Sequence, residues 1–509
     1  MLAKLHSVTL DGIEAIICEV EVDVDRGGFD KSIIVGLPDA AVKESIERVR
    51  SAILNSGYPY PKKQSLINLA PADVKKAGPA FDLPIALGML AGQNVFSNPA
   101  LKEYIIVGEL ALDGRVRSVN GVLSMTMAAV KNGFKKIIVP LENAREAAVV
   151  EDIEVFGVGS LTQVVAMFEG SLELDSTVVD IEKLFNVASN YSVDFADVKG
   201  QESVKRALTI AAAGGHNIMM IGPPGAGKTM LSQRLATILP PLSLAESLET
   251  TRIYSSVGLL GKDEALLAKR PVRMPHHSSS GPALVGGGTI PKPGELSLAH
   301  HGILFLDEFA EFPRHVLELI RQPLEDNYVN ISRAKGTTRF PANFMLVAAM
   351  NPCPCGYYGS DVRACKCSPN QIEKYMSKIS GPLMDRIDIH IEVPAVSFSK
   401  LRSKAEQIDS ATIRKQVQSA RQIQDKRLSN GKVMTNASMS HKEVEKFCQL
   451  DEYAEQMLKS AMSEFGLSGR AHDKICKVAR TIADLENQEN ISAEHIAEAI
   501  SYRRLDRKL

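Results

Sequence analysis

Hydrophobic and polar residues alternate along the first third of the chain with two different periods. Residues 20–24 read Val-Glu-Val-Asp-Val, and this period of two predicts a half-buried strand. Between 41 and 54 the apolar residues recur at helical spacing, which predicts an amphipathic helix. The apolar runs at 105–107 and 136–139 predict buried strands that flank a further helix. We therefore expect a mixed α/β domain over residues 1–165.

The pattern changes three times after this domain. Residues 166–192 are polar and uneven, with few turn signals, which is typical of a linker that can contain some helix. A second α/β pattern covers 193–395, and the last segment, 396–509, has helical spacing of its apolar residues. No apolar stretch reaches the roughly 18 residues of a membrane-spanning helix, so we expect no membrane partner. The sequence thus predicts a multidomain α/β protein.

The composition says little about the fold, but it limits the classes of binding partner and the cellular compartment that we expect. The 509 residues are 45% hydrophobic and 23% charged, as in an ordinary globular protein of about three domains. The formal net charge of −1 provides no general attraction to nucleic acid, so any such binding depends on local patches. The amino terminus lacks the pattern of a signal peptide, and the number of cysteines, seven, is odd. We expect reduced thiols or metal ligands in a cytoplasmic protein.

Residues 222–229 read Gly-Pro-Pro-Gly-Ala-Gly-Lys-Thr and match the phosphate-binding loop G-x-x-x-x-G-K-[ST]. A strand-like run precedes the loop and a helix-like run follows it, as the motif requires. The glycines let backbone N–H groups approach phosphate oxygens, Lys228 adds a point charge, and Thr229 offers a hydroxyl to Mg²⁺. The residues predicted to bind ATP are Gly222, Pro223, Pro224, Gly225, Ala226, Gly227, Lys228, Thr229 and Met230.

A second element, downstream of the loop, provides the carboxylates that ATP hydrolysis needs. The apolar run Ile-Leu-Phe-Leu at 303–306 predicts a buried strand, and Asp307 and Glu308 follow it directly. We expect Asp307 to hold Mg²⁺ together with Thr229, and Glu308 to orient and deprotonate the attacking water. The two elements together predict that the chain binds a nucleoside triphosphate and hydrolyses it with Mg²⁺ as cofactor.

Two more residues complete a hydrolysis site of the kind found in ring-forming ATPases. Asn351 ends the apolar run 344–350, where a polar side chain can hold the lytic water, although it can also simply terminate the strand. Arg386 follows a turn and precedes another strand, and in ring ATPases such an arginine reaches the neighbouring subunit's site. The alternative for Arg386 is a surface salt bridge with Asp385 and Asp388.

Arg470 is a third candidate and lies in the carboxy-terminal segment. Leu-Ser-Gly-Arg at 467–470 opens a predicted amphipathic helix. The arginine can fold over the γ-phosphate and couple the position of a helical lid to the nucleotide state. A solvated arginine in the first turn of a helix is the alternative.

Four of the seven cysteines fall within fifteen residues, as C-x-C, nine residues and a second C-x-C. In a chain without an export signal such a cluster is typical of a metal site, and tetrahedral Zn²⁺ fits four thiolates best. Free thiols and a redox disulfide are the alternatives. The predicted ligands of this structural zinc site are Cys353, Cys355, Cys365 and Cys367.

A basic hairpin is predicted just before the strand that ends at Asn351. Two short strand patterns within 328–340 flank Ala-Lys-Gly. In related ring helicases the hairpin at this place points into the central pore, where Arg333, Lys335 and Arg339 would grip DNA phosphates without reading the sequence. A solvated surface hairpin is the alternative, since three charges form only a small patch.

The order of these elements resembles that of the AAA+ ATPases. Arg-Pro-Val-Arg-Met-Pro-His-His-Ser at 270–278, Gly-Gly-Gly at 286–288 and Pro-Gly-Glu-Leu-Ser-Leu-Ala-His-His-Gly at 293–302 are similar to the magnesium-chelatase branch. With Asn-Pro-Cys-Pro-Cys-Gly at 351–356, the chain resembles the YifB/ComM competence-protein family over essentially its whole length. This resemblance implies an AAA+ P-loop α/β core, a helical lid, an insert near 274–294 and a homo-hexameric ring. For the paired histidines beside the insert, loop packing is favoured over metal binding.

The amino-terminal domain resembles the Lon protease domain (S5-type fold) at two places, 76–82 and 107–116. In the Lon fold a serine follows Gly-Pro and a lysine lies downstream, and the two form the catalytic dyad. Here the serine position is Ala80, and the lysine position falls on or near Leu123. Neither side chain can act as nucleophile or base, so we expect a binding or assembly role instead of proteolysis.

The motifs and the resemblance together favour an ATP-dependent DNA translocase or branch-migration helicase that acts in recombination or natural transformation. A homo-hexameric ring would hydrolyse ATP between subunits and move branched, single-stranded or double-stranded DNA with its hairpins. The alternative is a magnesium-chelatase-type motor subunit that inserts metal into a porphyrin, which the ATPase motifs alone do not exclude. A Lon-like protease is disfavoured by Ala80.

Overall fold

The structure, a computed structural model, divides into two compact units. The first unit comprises Met1–Val187, Ser243–Ala268 and Ile290–Lys292, and the second comprises Ala188–Leu242, Lys269–Thr289 and Pro293–Leu509. The chain therefore passes between the units more than once. The residues that the structure describes are 2–26, 32–62, 64–96, 99–188, 191–261, 264–288, 291–333, 336–359, 363–396, 407–428 and 435–503.

The strands form one large sheet in each unit and several short ribbons. In chain order they are β1 (Leu2–Asp11), β2 (Glu14–Arg26), β3 (Ser32–Val35), β4 (Gln64–Ala70), β5 (Tyr104–Ile106), β6 (Glu109–Leu110), β7 (Val116–Arg117), β8 (Lys136–Pro140), β9 (Glu154–Val158), β10 (Ile218–Ile221), β11 (Val272–Arg273), β12 (Gly286–Gly287), β13 (Lys292–Pro293), β14 (Ile303–Leu306), β15 (Tyr328–Arg333), β16 (Gly336–Pro341), β17 (Met345–Met350) and β18 (Ile389–Glu392). The large sheets have the strand orders β3-β4-β2-β1-β5-β8-β9 and β11-β14-β17-β10-β18. The ribbons pair β6 with β7, β12 with β13 and β15 with β16.

The helices surround these sheets and make up most of the carboxy-terminal segment. In chain order they are α1 (Ala40–Asn55), α2 (Asp82–Gly92), α3 (Val122–Lys131), α4 (Ala144–Ala147), α5 (Leu161–Glu169), α6 (Ile181–Ala188), α7 (Glu202–Gly214), α8 (Lys228–Ile238), α9 (Leu244–Ser256), α10 (Gly281–Val285), α11 (Glu295–Leu298), α12 (Arg314–Glu318), α13 (Arg321–Asp326), α14 (Pro369–Met376), α15 (Gly381–Met384), α16 (Ser410–Leu428), α17 (His441–Phe447), α18 (Glu452–Phe465), α19 (Gly469–Leu485) and α20 (Ala493–Ser501). None of the described helices combines the length and the apolar character needed to cross a bilayer.

The sheet of the first unit is mixed. β1 runs antiparallel to β2 and parallel to β5, and β5, β8 and β9 continue in parallel. The predicted alternation in β2 is confirmed, because Val20, Val22 and Val24 are buried while the acidic residues between them are partly exposed. The predicted helix over 41–54 is confirmed as α1, which buries Val42, Val49 and Ile53 on one side.

One helix of the first unit comes from a distant part of the sequence. α9 and the surrounding segment Ser243–Ala268 belong to this unit, although the sequence analysis included them in the ATPase segment 193–395. Ser255, near the end of α9, donates a hydrogen bond from Oγ to the buried carboxylate of Glu146. Residues that follow α9 join Leu123 in one apolar cluster. The first unit is therefore assembled from separate stretches of the chain.

The five-stranded sheet of the second unit is parallel throughout. Its strands β10, β14 and β17 consist of apolar residues and are fully buried, as expected for a parallel sheet covered on both faces. The carboxyl ends of parallel strands meet at one edge, so the loops after β10, β14 and β17 converge there. This edge positions the candidate site.

Helices α16 to α20 belong to the same unit as the five-stranded sheet. α19 packs against α7, α16 and α20, and its residues Ile475, Val478 and Ile482 share one apolar core with Ile218 of β10. The segment 166–192, predicted as a linker, contains the end of α5 and the whole of α6. The carboxy-terminal helices thus share their core with the sheet that carries the nucleotide motifs.

Candidate nucleotide-hydrolysis site

The phosphate-binding loop connects β10 with α8. Gly225 and Gly227 have φ angles of 78° and 84°, a left-handed conformation that residues with a side chain rarely adopt. A Cβ atom on Gly222 would lie 2.2 Å from the carbonyl oxygen of Val393, so only glycine fits there. The unpaired N–H groups in the first turn of α8 give this loop the positive potential that binds phosphate.

Lys228 makes several hydrogen bonds in this loop. Its Nζ donates to the carbonyl oxygens of Gly222 at 2.6 Å and Pro223 at 3.1 Å, and to Oδ1 of Asn351 at 3.2 Å. Burial lowers the pKa of Lys228, and the negative charge of Asp307 opposes this shift. The structure therefore brings Lys228 and Asn351 together, at the ends of the neighbouring parallel strands β10 and β17.

Thr229 and Asp307, the two predicted magnesium ligands, are also in contact. Thr229 Oγ1 donates to Asp307 Oδ2 at 2.7 Å, and Asp307 Oδ1 accepts from the backbone N–H of Glu308 at 2.9 Å. Mg²⁺ prefers hard oxygen ligands and is usually bound by one or two protein oxygens together with substrate phosphates. The hydroxyl of Thr229 and the carboxylate of Asp307 fit this requirement.

Glu308 is held by a histidine that the sequence analysis assigned only to loop packing. Its Oε2 lies 2.9 Å from Nδ1 of His277, and its φ angle of 51° is in the left-handed region. His277 lies four residues beyond Arg273, the end of β11, and β11 is the neighbour of β14 in the sheet. Segments that follow adjacent parallel strands meet at one edge. The position of the paired histidines after a strand was therefore the signal available in the sequence.

Arg386 is paired within its own chain, but with an acidic residue other than the two considered in the sequence analysis. Its Nη2 lies 2.5 Å from Oε1 of Glu325 on α13, and its Nη1 donates to the carbonyl oxygen of Pro382 at 2.6 Å. Asp388 pairs instead with Lys474. Among the contacts of the described residues, none joins Arg386 to the phosphate loop of its own chain. Its role at a neighbouring subunit's site stays a prediction.

Arg470 is exposed in the first turn of α19. Ser468 caps this helix, and its Oγ accepts from the backbone N–H of Ala471 at 3.3 Å. The contacts of the described residues include none between Arg470 and either Lys228 or Asp307. The predicted role of Arg470 at the γ-phosphate therefore also stays a prediction.

The four predicted zinc ligands form one cluster of free thiols. The Sγ atom of Cys353 lies 3.4 Å from that of Cys355 and 3.7 Å from that of Cys365, and the four Sγ atoms lie within 4.8 Å of one another. Thiolates about 2.3 Å from a tetrahedral Zn²⁺ are about 3.8 Å apart, whereas a disulfide requires about 2.0 Å. Backbone hydrogen bonds from Lys366 and Tyr357 lower the pKa of Cys355 to about 6, whereas burial and the neighbouring thiols raise the pKa values of Cys365 and Cys367. The donor set and its spacing fit zinc.

The loop that carries the cysteines adjoins the phosphate-binding loop. Gly356 has a φ angle of 85°, and a Cβ atom on it would lie 2.6 Å from Cδ of Pro224. Cys353 is fully buried and follows Asn351 by two residues. The cysteine loop therefore begins next to Asn351, which contacts Lys228, and the loop packs on Pro224 through Gly356.

The predicted hairpin is confirmed as β15 and β16, which pair antiparallel over their whole length. Arg333 and Arg339 are exposed on it, whereas Lys335 lies outside the described residues. The guanidinium of Arg339 lies 3.4 Å from the centre of the Tyr328 ring, which is a cation–π contact. Arg333 Nη2 lies 3.3 Å from the place that a Cβ atom on Gly287 would occupy. The hairpin thus presents at least two positive charges.

Three family models match most of the chain. The model for "Magnesium chelatase, subunit ChlI" matches residues 194–401, that for "Subunit ChlI of Mg-chelatase" matches 20–143, and that for the carboxy-terminal part of ChlI matches 407–503. Competence protein ComM of Haemophilus influenzae is 44% identical over 516 residues, with 100% of this chain and 98% of the relative covered. The YifB protein of Salmonella typhimurium is 43% identical over 512 residues, with the same coverage. This chain belongs to the ComM/YifB family of magnesium-chelatase-like proteins.

Membership in the ComM/YifB family confirms the resemblance inferred from the motifs and supports an ATPase role of the ComM type. ATP and Mg²⁺ are the cofactors that fit both this family and the geometry of the loop. A weaker similarity extends to the Lon protease of Rhizobium meliloti, which is 26% identical over 151 residues, 27% of this chain and 18% of the relative. The ComM/YifB assignment covers the whole chain, whereas the Lon similarity covers about a quarter of it.

Proposed function

We propose that this protein is an ATP-driven DNA translocase that works as a homo-hexameric ring and migrates branched DNA during recombination or natural transformation. The observation that supports this most is the direct connection between the hairpin and the nucleotide site. β16 ends at Pro341, and β17 begins four residues later, at Met345, and runs up to Asn351. A shift of Asn351 on loss of the γ-phosphate would therefore pass along β17 and residues 342–344 to Arg339 on β16, and through the pairing of β15 with β16 to Arg333.

Within one subunit, each polar residue of the site has a distinct role in the proposed hydrolysis. Lys228 and the loop N–H groups hold the β- and γ-phosphates, and Mg²⁺, when bound by Thr229 and Asp307, neutralises developing charge. Glu308 accepts a proton from the attacking water, whose oxygen bonds to the γ-phosphorus as the bond to the β–γ bridging oxygen breaks. Asn351 positions that water, and ADP and phosphate are the products.

Two arginines complete the proposed site. Arg386 would leave Glu325 and approach the γ-phosphate of the neighbouring subunit, where such an arginine contributes about 10³–10⁵-fold in rate. The side chains of Glu325 and Arg386 are 52% and 13% exposed, so solvent screens the carboxylate of this pair more than the guanidinium, and Glu325 can exchange partners. Arg470 would approach the γ-phosphate of its own subunit when the carboxy-terminal helices act as a lid.

DNA contact in this proposal is electrostatic and independent of sequence. The net charge of −1 offers no general attraction, so the exposed Arg333 and Arg339 and the neighbouring Lys335 would supply it locally. The contact with Tyr328 orients the guanidinium of Arg339, which lowers the entropy lost on binding a phosphate. In a ring, the hairpin charges would repeat once per subunit.

The cysteine cluster is proposed to hold one structural Zn²⁺. When bound, the ion would fix the loop after Asn351 against Pro224. We expect about one zinc per chain by metal analysis, and loss of this zinc in Cys355→Ser. Cys18→Ser is the matched control, because Cys18 is a buried free thiol of the first unit. Unchanged zinc content in Cys355→Ser would show that the cluster is not the metal site.

The first unit is proposed to have a Lon-like fold without peptidase chemistry and to serve binding or assembly. Ala80, at the serine position, and Leu123, at or near the lysine position, are 6% and 0% exposed and lie in different apolar clusters. The partial similarity to Lon protease supports the fold. Because neither side chain carries a nucleophile or a base, the proposal excludes a role in peptide hydrolysis.

A second candidate function is a magnesium-chelatase-type motor subunit, because all three matching family models are named for ChlI. The DNA function is favoured by the exposed arginines of the hairpin and by the relative named for competence, which aligns with this chain over 98% of its length. Stimulation of ATP turnover by a four-way DNA junction, compared with stimulation by porphyrin-binding partner subunits, separates the two functions.

The experiment that tests the DNA function measures ATP turnover and branch migration on a four-way junction. Arg333→Ala combined with Lys335→Ala should lose most of the DNA stimulation and keep DNA-free turnover, because no contact found among the described residues joins Arg333 to Lys228 or Asp307. Lys442→Ala with Lys459→Ala, which removes two exposed positive charges from α17 and α18, is the matched control and should keep the stimulation. Full stimulation in the hairpin variant would contradict the proposed DNA contact.

A further inference from the structure

A buried ion pair joins α19 to the turn that carries Arg386. Lys474 Nζ lies 2.7 Å from Oδ1 of Asp388, and the two side chains are only 17% and 11% exposed. On α19, Lys474 lies one turn beyond Arg470, and Asp388 follows Arg386 by two residues. The pair therefore connects the helix of one candidate arginine with the turn of the other.

The second carboxylate oxygen of Asp388 contacts the segment before β10. Asp388 Oδ2 accepts from the backbone N–H of Asn217 at 3.1 Å and lies 3.5 Å from Nδ1 of His216, at the outer limit of a hydrogen bond. His216 is fully buried, and its Nε2 lies 2.8 Å from Oγ1 of Thr481 on α19. Lys474 and Thr481 are two turns apart on one face of this helix. α19 thus reaches this network at two points.

Asn217 extends the network to Arg386. Its Nδ2 donates to the carbonyl oxygen of Arg386 at 3.1 Å, and its Oδ1 accepts from the backbone N–H of Leu346 at 2.8 Å. Its own carbonyl oxygen accepts from the backbone N–H of Asp388 at 2.9 Å. Leu346 belongs to β17, which runs up to Asn351. One amide side chain therefore ties the Arg386 turn to the strand of the candidate water-holding residue.

The charges in this network hold one another in place. Burial alone would raise the pKa of Asp388, but the positive charge of Lys474 lowers it below its usual range. Burial lowers the pKa of Lys474, and Asp388 opposes this shift. The carboxy-terminal segment contacts the turn once more, because Arg503 Nη1 donates to the carbonyl oxygen of Ile387 at 2.5 Å. A buried pair with this support does not exchange partners readily, in contrast to the exposed Glu325.

We infer that Asp388 and Lys474 are positioning residues that couple movement of the carboxy-terminal helices in one subunit to the placement of Arg386 in the neighbouring nucleotide site. The inference rests on the proposed function, because it requires Arg386 to act between subunits. When Arg470 approaches the γ-phosphate of its own subunit, α19 shifts and Lys474 moves Asp388 with it. ATP binding in one site thereby sets the hydrolysis rate in the next.

The test uses the full-length protein with Asp388→Asn combined with Lys474→Met. The double change removes both charges together, so that neither is left buried without a partner, and it keeps an acceptor for the Asn217 N–H. We expect an ATP affinity within about twofold of wild type and a kcat lower by about ten- to a hundredfold, because misplacing a catalytic group by about 1 Å costs up to about 10²-fold. A wild-type kcat in this variant would overturn the inference.

Two further variants guard against a purely structural effect. Arg206→Met with Glu498→Gln removes a different ion pair, 3.1 Å long, between α7 and α20 and should leave kcat within about twofold of wild type. Asn217→Ser is a milder change that removes the side-chain links to the Arg386 carbonyl oxygen and to the Leu346 N–H, and we expect about a three- to tenfold lower kcat. An equal loss of kcat in the Arg206 control would overturn the inference, since any weakening of the helices would then suffice.

Mixing subunits separates this inference from the proposed function. Subunits with Glu308→Gln keep Asp388, Lys474 and Arg386, so in mixed rings they can supply a correctly placed arginine to a subunit whose own Glu308 is intact. We expect them to raise turnover several-fold both for Arg386→Ala and for Asp388→Asn with Lys474→Met. If Arg386→Ala is not rescued, the proposed shared site is wrong. If Arg386→Ala is rescued and the double variant is not, only the coupling is wrong.

Discussion

The two units of this molecule differ in the side chains found at the positions where catalytic residues are expected. In the second unit, the loops after β10, β14 and β17 present Lys228, Asp307 and Asn351 at one edge. In the first unit, the resemblance to Lon puts Ala80 at the serine position of the dyad and Leu123 at or near the lysine position, and both residues are buried and apolar. The comparison illustrates that function depends on a few side chains placed on a scaffold and not on the scaffold itself.

The two units also differ in the hydrogen bonds and ion pairs that their buried polar groups make. In the first, Glu146 accepts from Leu123 N at 2.8 Å and from Asn143 Nδ2 at 3.1 Å, and the hydroxyl of Ser255 donates to it as well, so its carboxylate is fully occupied in holding α9. In the second, Lys228 donates to backbone carbonyl oxygens of its own loop, and Arg386 pairs with the half-exposed Glu325. The hydrogen bonds of Glu146 stabilise the first unit, whereas the proposed function requires the contacts of Lys228 and Arg386 to be exchanged for contacts with phosphate.

The comparison would be contradicted most clearly if the second unit bound and hydrolysed ATP without the charges of Lys228 and Glu308. Lys228→Ala should abolish measurable ATP binding and lower turnover by about 10²–10³-fold, because it removes a preorganised donor to the phosphates. Glu308→Gln should lower turnover by about 10²–10⁴-fold, the contribution of a general base, and keep ATP affinity. Turnover assays and equilibrium nucleotide binding check both. Wild-type affinity in Lys228→Ala would show that nucleotide binds elsewhere.

The converse experiment introduces a serine and a lysine into the first unit and tests for peptidase activity. Ala80→Ser with Leu123→Lys introduces the residue types of the dyad, but Leu123 is 0% exposed and packs in an apolar cluster, so the new ammonium would be removed from water. We expect no peptidase activity and a loss of about 3–5 kcal/mol in the unfolding free energy, measured by denaturant titration. Ala80→Ser alone is the control, with an expected change of about 1 kcal/mol or less. Peptidase activity sensitive to a serine-directed inhibitor would contradict the comparison.

A smaller effect should distinguish the units by pH. Burial lowers the pKa of His216 below 6.5, so unfolding takes up a proton and the second unit should lose stability as pH falls below about 6.5. Burial raises the pKa of Glu146 above 4.5, so folding retains a proton and the first unit should gain stability as pH falls towards 4.5. Each group contributes up to about 1.4 kcal/mol per pH unit.

Calorimetry between pH 4.5 and 7 checks these opposite shifts. His216→Gln should reduce the loss of stability that the second unit shows as pH falls. Glu146→Gln should reduce the gain of stability that the first unit shows over the same range. His441→Gln is a control of opposite sign within the second unit, because a hydrogen bond to Asp473 raises the pKa of His441. Parallel shifts of both units with pH would refute the assignment.

The parts of the site that the sequence predicts are those encoded in short windows. The phosphate loop, the carboxylates after β14, the hairpin and the cysteine cluster each lie within fifteen residues or fewer, and the rules of parallel sheets bring the first two together. The contacts of Glu308 with His277 and of Arg386 with Glu325 join distant segments. The position of His277 after β11 indicates the edge of the sheet at which it lies but not its partner, and each acidic residue has several possible partners until the fold is known.

The partner of α9 was unpredictable for a related reason. Helical spacing of apolar residues shows that a helix buries one face, but not which other element covers that face. α9 lies between the phosphate loop and the Asp307 strand in sequence, so its assignment to the ATPase segment followed from order along the chain. The side chains that decide otherwise, Glu146 and Leu123, belong to the amino-terminal third.

The discontinuous make-up of the first unit has a practical consequence for dissecting the protein. A single cleavage at 187 would not yield two self-sufficient halves, because Ser243–Ala268 would stay on the wrong piece. The shorter half would lose the hydroxyl that donates to Glu146, and the longer half would expose Leu248 and Leu266 to water. Each half should therefore precipitate or unfold on its own, and isolating the amino-terminal half would require supplying residues 243–268 as a tethered or added peptide.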